Sequence, residues 1–166
     1  MRKTIICLAI PFISLFLFAS YHFASSKFDV TDVIFDIKGY DPRDLLSGHY
    51  IRFQVDFKDN NNQYSYGNVM CLRIDNNGKV ISSKRSHDKK HCNLFITGKQ
   101  KYGNFDSGLR KFYVPQEYAN SLDNALRDEK NNKSTIKVSI TKHGKAYIKD
   151  LYINEITWQE FVKGNK

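Results

Sequence analysis

The sequence is poor in cysteine and proline, and it has no long run of basic residues. Three cysteines in 166 residues are too few for the disulfide framework of a small secreted scaffold. The net charge is +9, but the lysines are scattered or in short pairs such as Lys89-Lys90, without a basic helix or an RNA-reading aromatic signature. We therefore expect no nucleic-acid partner, and we expect no cofactor.

Hydrophobic and aromatic residues are plentiful enough for a folded domain. They make up 41% and 14% of the chain, and most of the aromatics are Phe and Tyr. This composition suits a packed β core and argues against disorder. The length leaves room for one apolar N-terminal segment and one domain of ordinary size.

The N-terminal segment resembles a membrane-insertion signal. Two basic residues precede an uncharged apolar run over 4–23, which matches the ~20 residues that cross a bilayer. The basic end should stay in the cytoplasm while the rest is exported. We therefore expect residues 1–26 to be an anchor in membrane lipid and residues 27–166 to be one exported domain. Cleavage as a signal peptide is the alternative, because Ala24-Ser25-Ser26 supplies small residues.

Alternating apolar and polar residues predict strands along the exported domain. Three segments, Tyr50 to Phe57, Thr135 to Thr141 and Ala146 to Ile153, are assigned two faces by a period of two. A helix is predicted to begin at Pro115, because proline is permitted in a first turn, whereas Gly98 to Gly108 has the composition of a basic loop. The sequence thus predicts a mainly β (α+β) domain, compact, antiparallel and barrel-like, with about eight strands and one packed helix after one transmembrane helix.

A constrained loop before the strand at Tyr50 holds the candidate binding residues. Pro42 fixes its own φ, and Gly48 can take a positive φ. In a functional interpretation the loop is a recognition edge at which an arginine contacts an anionic group. In a structural interpretation its aspartates cap the turn and its arginine pairs locally. The candidate residues are Asp41, Arg43, Asp44, Gly48, His49, Tyr50 and Arg52.

Two further groups of residues could carry chemistry. Cys71 and Cys92 could form a disulfide in an oxidising compartment, or they could remain two buried free thiols. His87 and His91 would share a face if their segment were helical, beside the ligand types of Asp88 and Cys92. Two lysines lie among them and disfavour a cation, so we expect a polar loop and no metal site.

The stretch Gly48-His49-Tyr50-Ile51-Arg52-Phe53-Gln54-Val55 resembles the GDYXXLXY family of membrane-anchored proteins, whose name spells its motif. Gly48 and Tyr50 match, while a histidine, a phenylalanine and a valine replace the aspartate, the leucine and the final tyrosine. Three further segments are similar to that family in the expected order: Asp41 to Leu45, Phe112 to Pro115 and Ala146 to Tyr152. The resemblance implies an inner-membrane protein whose domain lies in the periplasm and whose role is uncharacterised.

Two functions are compatible with these features. The first is a noncatalytic binding or assembly module that engages another inner-membrane protein or an envelope component. The second is a membrane-bound hydrolase, for which signal peptidases offer the nearest comparison because they place a Pro-containing loop before a Gly-Asp strand. Those enzymes need a serine just before the proline, where this chain has Gly39-Tyr40-Asp41, and Ser47 has no evident lysine base. No catalytic residue is predicted.

Overall fold

A computed structural model describes residues 12–21, 30–39, 50–59, 67–101 and 104–164. The chain divides into two compact units, Met1–Val30 and Thr31–Lys166. In the first unit, residues 12–21 form a short helix, α1. Among the described residues, no helix combines the length and the apolar character needed to cross a bilayer.

The second unit is mostly β and its named strand pairs are antiparallel. Eleven strands are described: β1 Val30–Gly39, β2 Tyr50–Asp56, β3 Val69–Ile74, β4 Val80–Ser86, β5 Phe95–Thr97, β6 Lys99–Lys101, β7 Asn104–Asp106, β8 Lys111–Tyr113, β9 Ser134–Thr141, β10 Ala146–Ile153 and β11 Ile156–Thr157. Two helices accompany them, α2 over Gln116–Arg127 and α3 over Trp158–Gly164. The mainly β, antiparallel class is confirmed, but the expected counts of about eight strands and one helix are too low.

The strands form three sheets. The largest has six strands in the order β11-β10-β9-β1-β2-β8. A second sheet has the order β4-β3-β5, and β6 and β7 form a separate two-stranded ribbon. The basic loop predicted from Gly98 to Gly108 is therefore wrong in part, because six of its residues form this ribbon. Three-residue strands are too short to show an alternating pattern.

The core lies on one face of the six-stranded sheet. In β2, Ile51, Phe53 and Val55 are buried, while the residues between them are more exposed. This strand is confirmed, and its alternation explains why one face packs inward. We call the face that carries Tyr50, Arg52, Gln54 and Asp56 the outer face. The largest fully buried core side chains come from several elements: Phe35, Met70, Ile96, Leu122, Leu126, Ile136, Ile140, Leu151 and Ile153.

Helix α2 packs against this core as its sequence pattern predicts. Pro115 precedes its first residue with φ −56° and ψ 141°, values that a proline ring allows before a helix. Ala119, Leu122, Ala125 and Leu126 are buried along one face. The helix comes very close to the end of β1: a Cβ at Gly39 would meet the carbonyl oxygen of Leu126 at 2.7 Å. Only glycine tolerates this approach.

The hairpin of β9 and β10 departs from strict alternation at one point. Gly144 has φ 80°, as expected for the tight turn that joins the two strands. The pairing register then shifts between Ile148 and Asp150. Such a bulge lets residues on both sides of the shift, Ile148 and Leu151, pack toward the core. The strict alternation predicted from Ala146 to Ile153 is therefore wrong at Lys149.

Candidate functional site

The structure describes only the last two candidate residues of the predicted motif loop. Asp41, Arg43, Asp44, Gly48 and His49 lie outside the described residues. Tyr50 and Arg52 are described, and both occupy the outer face at the start of β2. The candidate site therefore consists of these two residues and their neighbours across the sheet.

Strand β8 pairs with the start of β2 and brings two distant residues next to the motif. Tyr50 lies directly opposite Tyr113, and Arg52 lies directly opposite Lys111. The alternation of β8 turns Phe112 toward the core and leaves Tyr113 exposed, with 71% of its surface accessible. We call Tyr50, Arg52, Lys111 and Tyr113 the Tyr50 cluster.

The ring of Tyr50 is the centre of this cluster. The guanidinium group of Arg52 donates a hydrogen bond to the Tyr50 hydroxyl at 2.9 Å, and its Cζ lies 5.4 Å from the ring centroid. The Lys111 Nζ lies 4.1 Å from the same centroid. The Tyr113 ring packs edge-to-face at 5.9 Å. Cation–π attraction at an exposed site contributes about 0.5–1 kcal/mol, which offsets the repulsion of two cations placed directly opposite.

A groove of about 900 Å³ runs from this cluster along β2. Its lining includes Arg52 and every β2 residue that follows, together with Lys38 of β1 and the three residues of β7. The partly buried Phe105 and the buried Met70 are also among its lining residues. Residues from both faces of β2 line it, as expected for a groove that runs along the edge of a strand. We therefore call it the edge groove.

The carboxylates that line the edge groove are already paired. Asp56 lies 2.9 Å from the Lys58 Nζ, Asp59 lies 3.3 Å from the Arg85 Nε, and Asp106 lies 2.8 Å from an Arg110 nitrogen. Burial alone would raise the pKa of Asp56, but the backbone N–H and the ammonium group of Lys58 outweigh it and hold the pKa below its usual value. Each of these acids therefore has a cation of its own within ion-pair distance.

Two lysines of the groove differ from these paired groups. Among the described residues, no carboxylate lies within ion-pair distance of Lys38 or Lys111. Both side chains are exposed, and both line the edge groove. Together with Arg52 they give the groove an excess of positive charge on its outer side.

The described lining of the groove does not contain a nucleophile and base of the kind that a serine or cysteine hydrolase uses. Ser107 is the one serine in its described lining, and its Oγ accepts a hydrogen bond from the Leu109 N–H at 3.2 Å. No histidine or cysteine appears among the described lining residues. The groove therefore offers basic and aromatic contacts without a described nucleophile–base pair.

The other predicted groups lie elsewhere. Cys71 and Cys92 are joined by a disulfide, with their Cα atoms 5.2 Å apart. The segment from His87 to His91 forms bends and turns, so the helical arrangement considered for a metal is wrong. Asp88 instead accepts a hydrogen bond from the Lys90 N–H at 3.0 Å. Among the described residues, no three His, Cys, Asp or Glu side chains form a metal-binding group.

Sequence reasoning missed two members of the cluster and the groove itself. Lys111 and Tyr113 alternate with Phe112, which indicates that they share one face of a short strand. The pairing of that strand with β2 has no local signal, because the two strands are far apart in the chain.

Fold and site together describe a β-rich domain with a basic and aromatic groove beside its sheet. A family model described as GDYXXLXY protein matches residues 13–151. Because the match covers most of the chain, this protein belongs to the GDYXXLXY family. Comparisons with curated proteins and with solved structures give no significant match.

Proposed function

We propose that this protein is a noncatalytic binding or assembly module, held at the periplasmic face of a bacterial inner membrane, which engages another membrane protein or an envelope component through the edge groove. The observation that supports binding is the combination of Lys38, Arg52 and Lys111 in the lining of one groove, with the aromatic rings of Phe57 and Phe105. Exposed cations beside aromatic rings suit an anionic partner.

The chemistry of the groove favours binding over hydrolysis. Catalysis by a serine requires a base within hydrogen-bond reach of the hydroxyl. Ser107 bonds to its own turn, and the three carboxylates of the lining are held by cations. The positive charge of Lys38 and Lys111 is not balanced in this way, and it suits recognition of an anionic partner.

The membrane part of the proposal rests on the N-terminal segment. The apolar run over 4–23 follows two basic residues, a pattern that orients the N-terminus toward the cytoplasm. Within α1 the apolar side chains are exposed, with Phe16 73% accessible. An apolar helix surface of this kind is suited to contact with lipid. In this proposal residues 1–26 form the anchor, as a single span, and 27–166 form the periplasmic domain.

Two measurements test this placement. The full-length protein should stay in the membrane fraction after carbonate extraction. An alkaline phosphatase fused to its C-terminus should be active, because this enzyme folds only outside the cytoplasm. A chain released by carbonate, or a phosphatase fusion that is inactive while a cytoplasmic reporter at the same position is active, would contradict the placement.

In-cell photo-crosslinking tests the binding site. A photoreactive residue is placed at position 111 or 113 of the full-length protein, with position 147 as the control. Tyr147 is also exposed, at 57%, but it belongs to β10, which is separated from β8 by three strands of the sheet. We expect one defined adduct from 111 and 113 that Arg52→Ala reduces and that 147 does not form. The same products from all three positions would overturn the proposed site.

A further inference from the structure

Strand β2 has an incomplete edge inside the groove. On one side it pairs with β1, where Gln54 lies opposite Lys38 and Asp56 lies opposite Asp36. On the other side β8 pairs only from Tyr50 to Arg52. One more contact follows, in which the Phe53 N–H donates to the Arg110 carbonyl oxygen at 3.2 Å. Beyond this contact, no described strand pairs with β2 on that side.

The unpaired edge presents backbone hydrogen-bonding groups to the groove. In an antiparallel ladder, alternate residues direct their N–H and C=O toward the same side. Because Phe53 donates toward the β8 side, Val55, two residues further on, directs its backbone groups the same way. Val55 is only 8% exposed, and none of the described residues pairs with it on that side. A backbone amide in such a position gains from a strand that completes the ladder.

Strand β7 contributes further residues to the groove. It pairs with β6, and its three residues are part of the groove lining. Aromatic rings also line the groove, where Phe105 packs edge-to-face on Phe57 at 5.6 Å. An extended segment placed along β2 would therefore lie beside these rings.

Three cations that line the edge groove indicate the charge of a segment that would bind there. Lys38, Arg52 and Lys111 lie on the outer face of the sheet, whereas Phe53 and Val55 point to the core side. A strand added beside β2 would place alternate side chains on these two faces. Acidic side chains would meet the cations, and apolar side chains would meet the partly buried ring of Phe105.

We infer that the edge groove binds an extended acidic segment of a partner polypeptide, which adds to the six-stranded sheet as a strand along β2. The inference rests on the proposed binding function and specifies its ligand: a peptide in which acidic and apolar residues alternate. Strand addition takes affinity from the backbone and specificity from alternate side chains. An anionic lipid headgroup would meet the same cations, but it has no backbone to pair with Val55.

A peptide-binding experiment on the full-length protein in nanodiscs of neutral lipid tests the inference. The probe is a fluorescein-labelled octapeptide of alternating Glu and Val, and its control is the same peptide with Lys in place of Glu. We expect the Glu peptide to bind at least about tenfold more tightly than the Lys peptide. Lys111→Glu should remove this preference, whereas Lys145→Glu, which makes the same charge change outside the groove, should keep it.

Amide hydrogen exchange separates strand addition from simple anion binding. We expect the Val55 amide to exchange rapidly in the free protein and at least about tenfold more slowly with saturating Glu peptide. The Val138 amide in β9, an interior strand of the sheet, is the control and should be protected in both states.

Three results would overturn the inference while leaving the binding function in place. The first is a Glu peptide that binds without protecting Val55. The second is a Val55 amide that is already protected before the peptide is added. The third is a groove that binds anionic vesicles but neither peptide, while the crosslinks from positions 111 and 113 persist. If those crosslinks are absent as well, the proposed function also fails.

Discussion

The outer face of the sheet carries two groups of charges that are compensated in different ways. At one place two aspartates, Asp36 and Asp56, lie directly opposite each other on β1 and β2. Lys58 approaches both of them, at 3.3 and 2.9 Å, and Lys79 reaches Asp36 at 2.9 Å. The repulsion of the two acids is therefore balanced within the fold.

The Tyr50 cluster places two cations opposite each other in a similar way. Arg52 and Lys111 lie directly opposite each other on β2 and β8, yet no described carboxylate pairs with Lys111. Its Nζ contacts the Tyr50 ring instead. Like charges opposite one another on a sheet cost about 0.2–1 kcal/mol. The comparison supports the proposal that the first group serves the fold and that Lys111 contacts a ligand.

The largest expected effect concerns the sheet β4-β3-β5, whose residue Met70 lines the edge groove. In a Cys7→Ser background, replacing Cys71 and Cys92 with serine should lower the free energy of unfolding by about 3 kcal/mol, because the bond joins residues that lie 21 positions apart in the chain. Urea unfolding with and without a reducing agent measures the change. Two titratable thiols in the native, unreduced Cys7→Ser protein would show that the pair is not oxidised.

Gly39 separates the two charge groups, since it lies opposite Phe53 at the end of the β1–β2 ladder. Gly39→Ala should destabilise the protein by about 1–3 kcal/mol, because the new Cβ would meet backbone atoms of Leu126 at 2.7 and 2.9 Å. Gly164→Ala is the matched control, because a methyl group added there, at the end of α3, would have nothing within 4 Å. Equal melting temperatures for the two variants would refute the close approach.

The stability of the group formed by Asp36 and Asp56 should depend on Lys58, which both acids share. Burial alone would raise the pKa of Asp36, but Lys79 and Lys58 together hold it below its usual value. Lys58→Met should therefore cost about 1–2 kcal/mol, because two part-buried acids lose a common partner. Denaturant unfolding measures this, with Lys84→Met on β4 as the control. A loss no larger than that of the control would mean that the two groups are not compensated differently.

A third acid on the outer face gives a pH test. The hydroxyl of Ser139 donates to Asp32 at 2.6 Å and the Lys149 Nζ lies 2.9 Å away, so the pKa of Asp32 falls to about 2. A lowered folded-state pKa stabilises the fold above the ordinary value near 3.8, and the gain disappears as the pH falls toward 2. Because these groups are partly exposed, the effect should be below about 1 kcal/mol.

Unfolding in urea at a series of acidic pH values measures this effect. The free energy of unfolding of the wild type should decrease between about pH 4 and pH 2 more steeply than that of Asp32→Asn. Parallel curves for the two proteins would show that Asp32 has no special stabilising contacts.

The parts of the fold that could be predicted are those with a local signal. The alternation from Tyr50 to Phe57 identifies β2, and Gly144 marks the β9–β10 turn, because each pattern lies within a few neighbouring residues. The ribbon of β6 and β7 has no such signal, since Lys99-Gln100-Lys101 is exposed throughout and carries no apolar period.

The candidate site could be predicted only in part for a similar reason. Tyr50 and Arg52 adjoin the motif loop and share one strand face, so local alternation finds them. Lys111 joins them only through the β2–β8 pairing, which depends on the tertiary fold. The edge at Val55, with which no described residue pairs on the β8 side, likewise follows from where β8 stops, and no single stretch of sequence encodes that.

The variant Lys111→Glu tests the central claim, that the Tyr50 cluster is kept for a ligand, more directly than any other change. It replaces two opposed cations by an ion pair and should leave the free energy of unfolding equal or higher by about 0.2–1 kcal/mol. The same variant should lose the crosslink from position 113 in cells. A destabilised protein that keeps its crosslink would contradict the account.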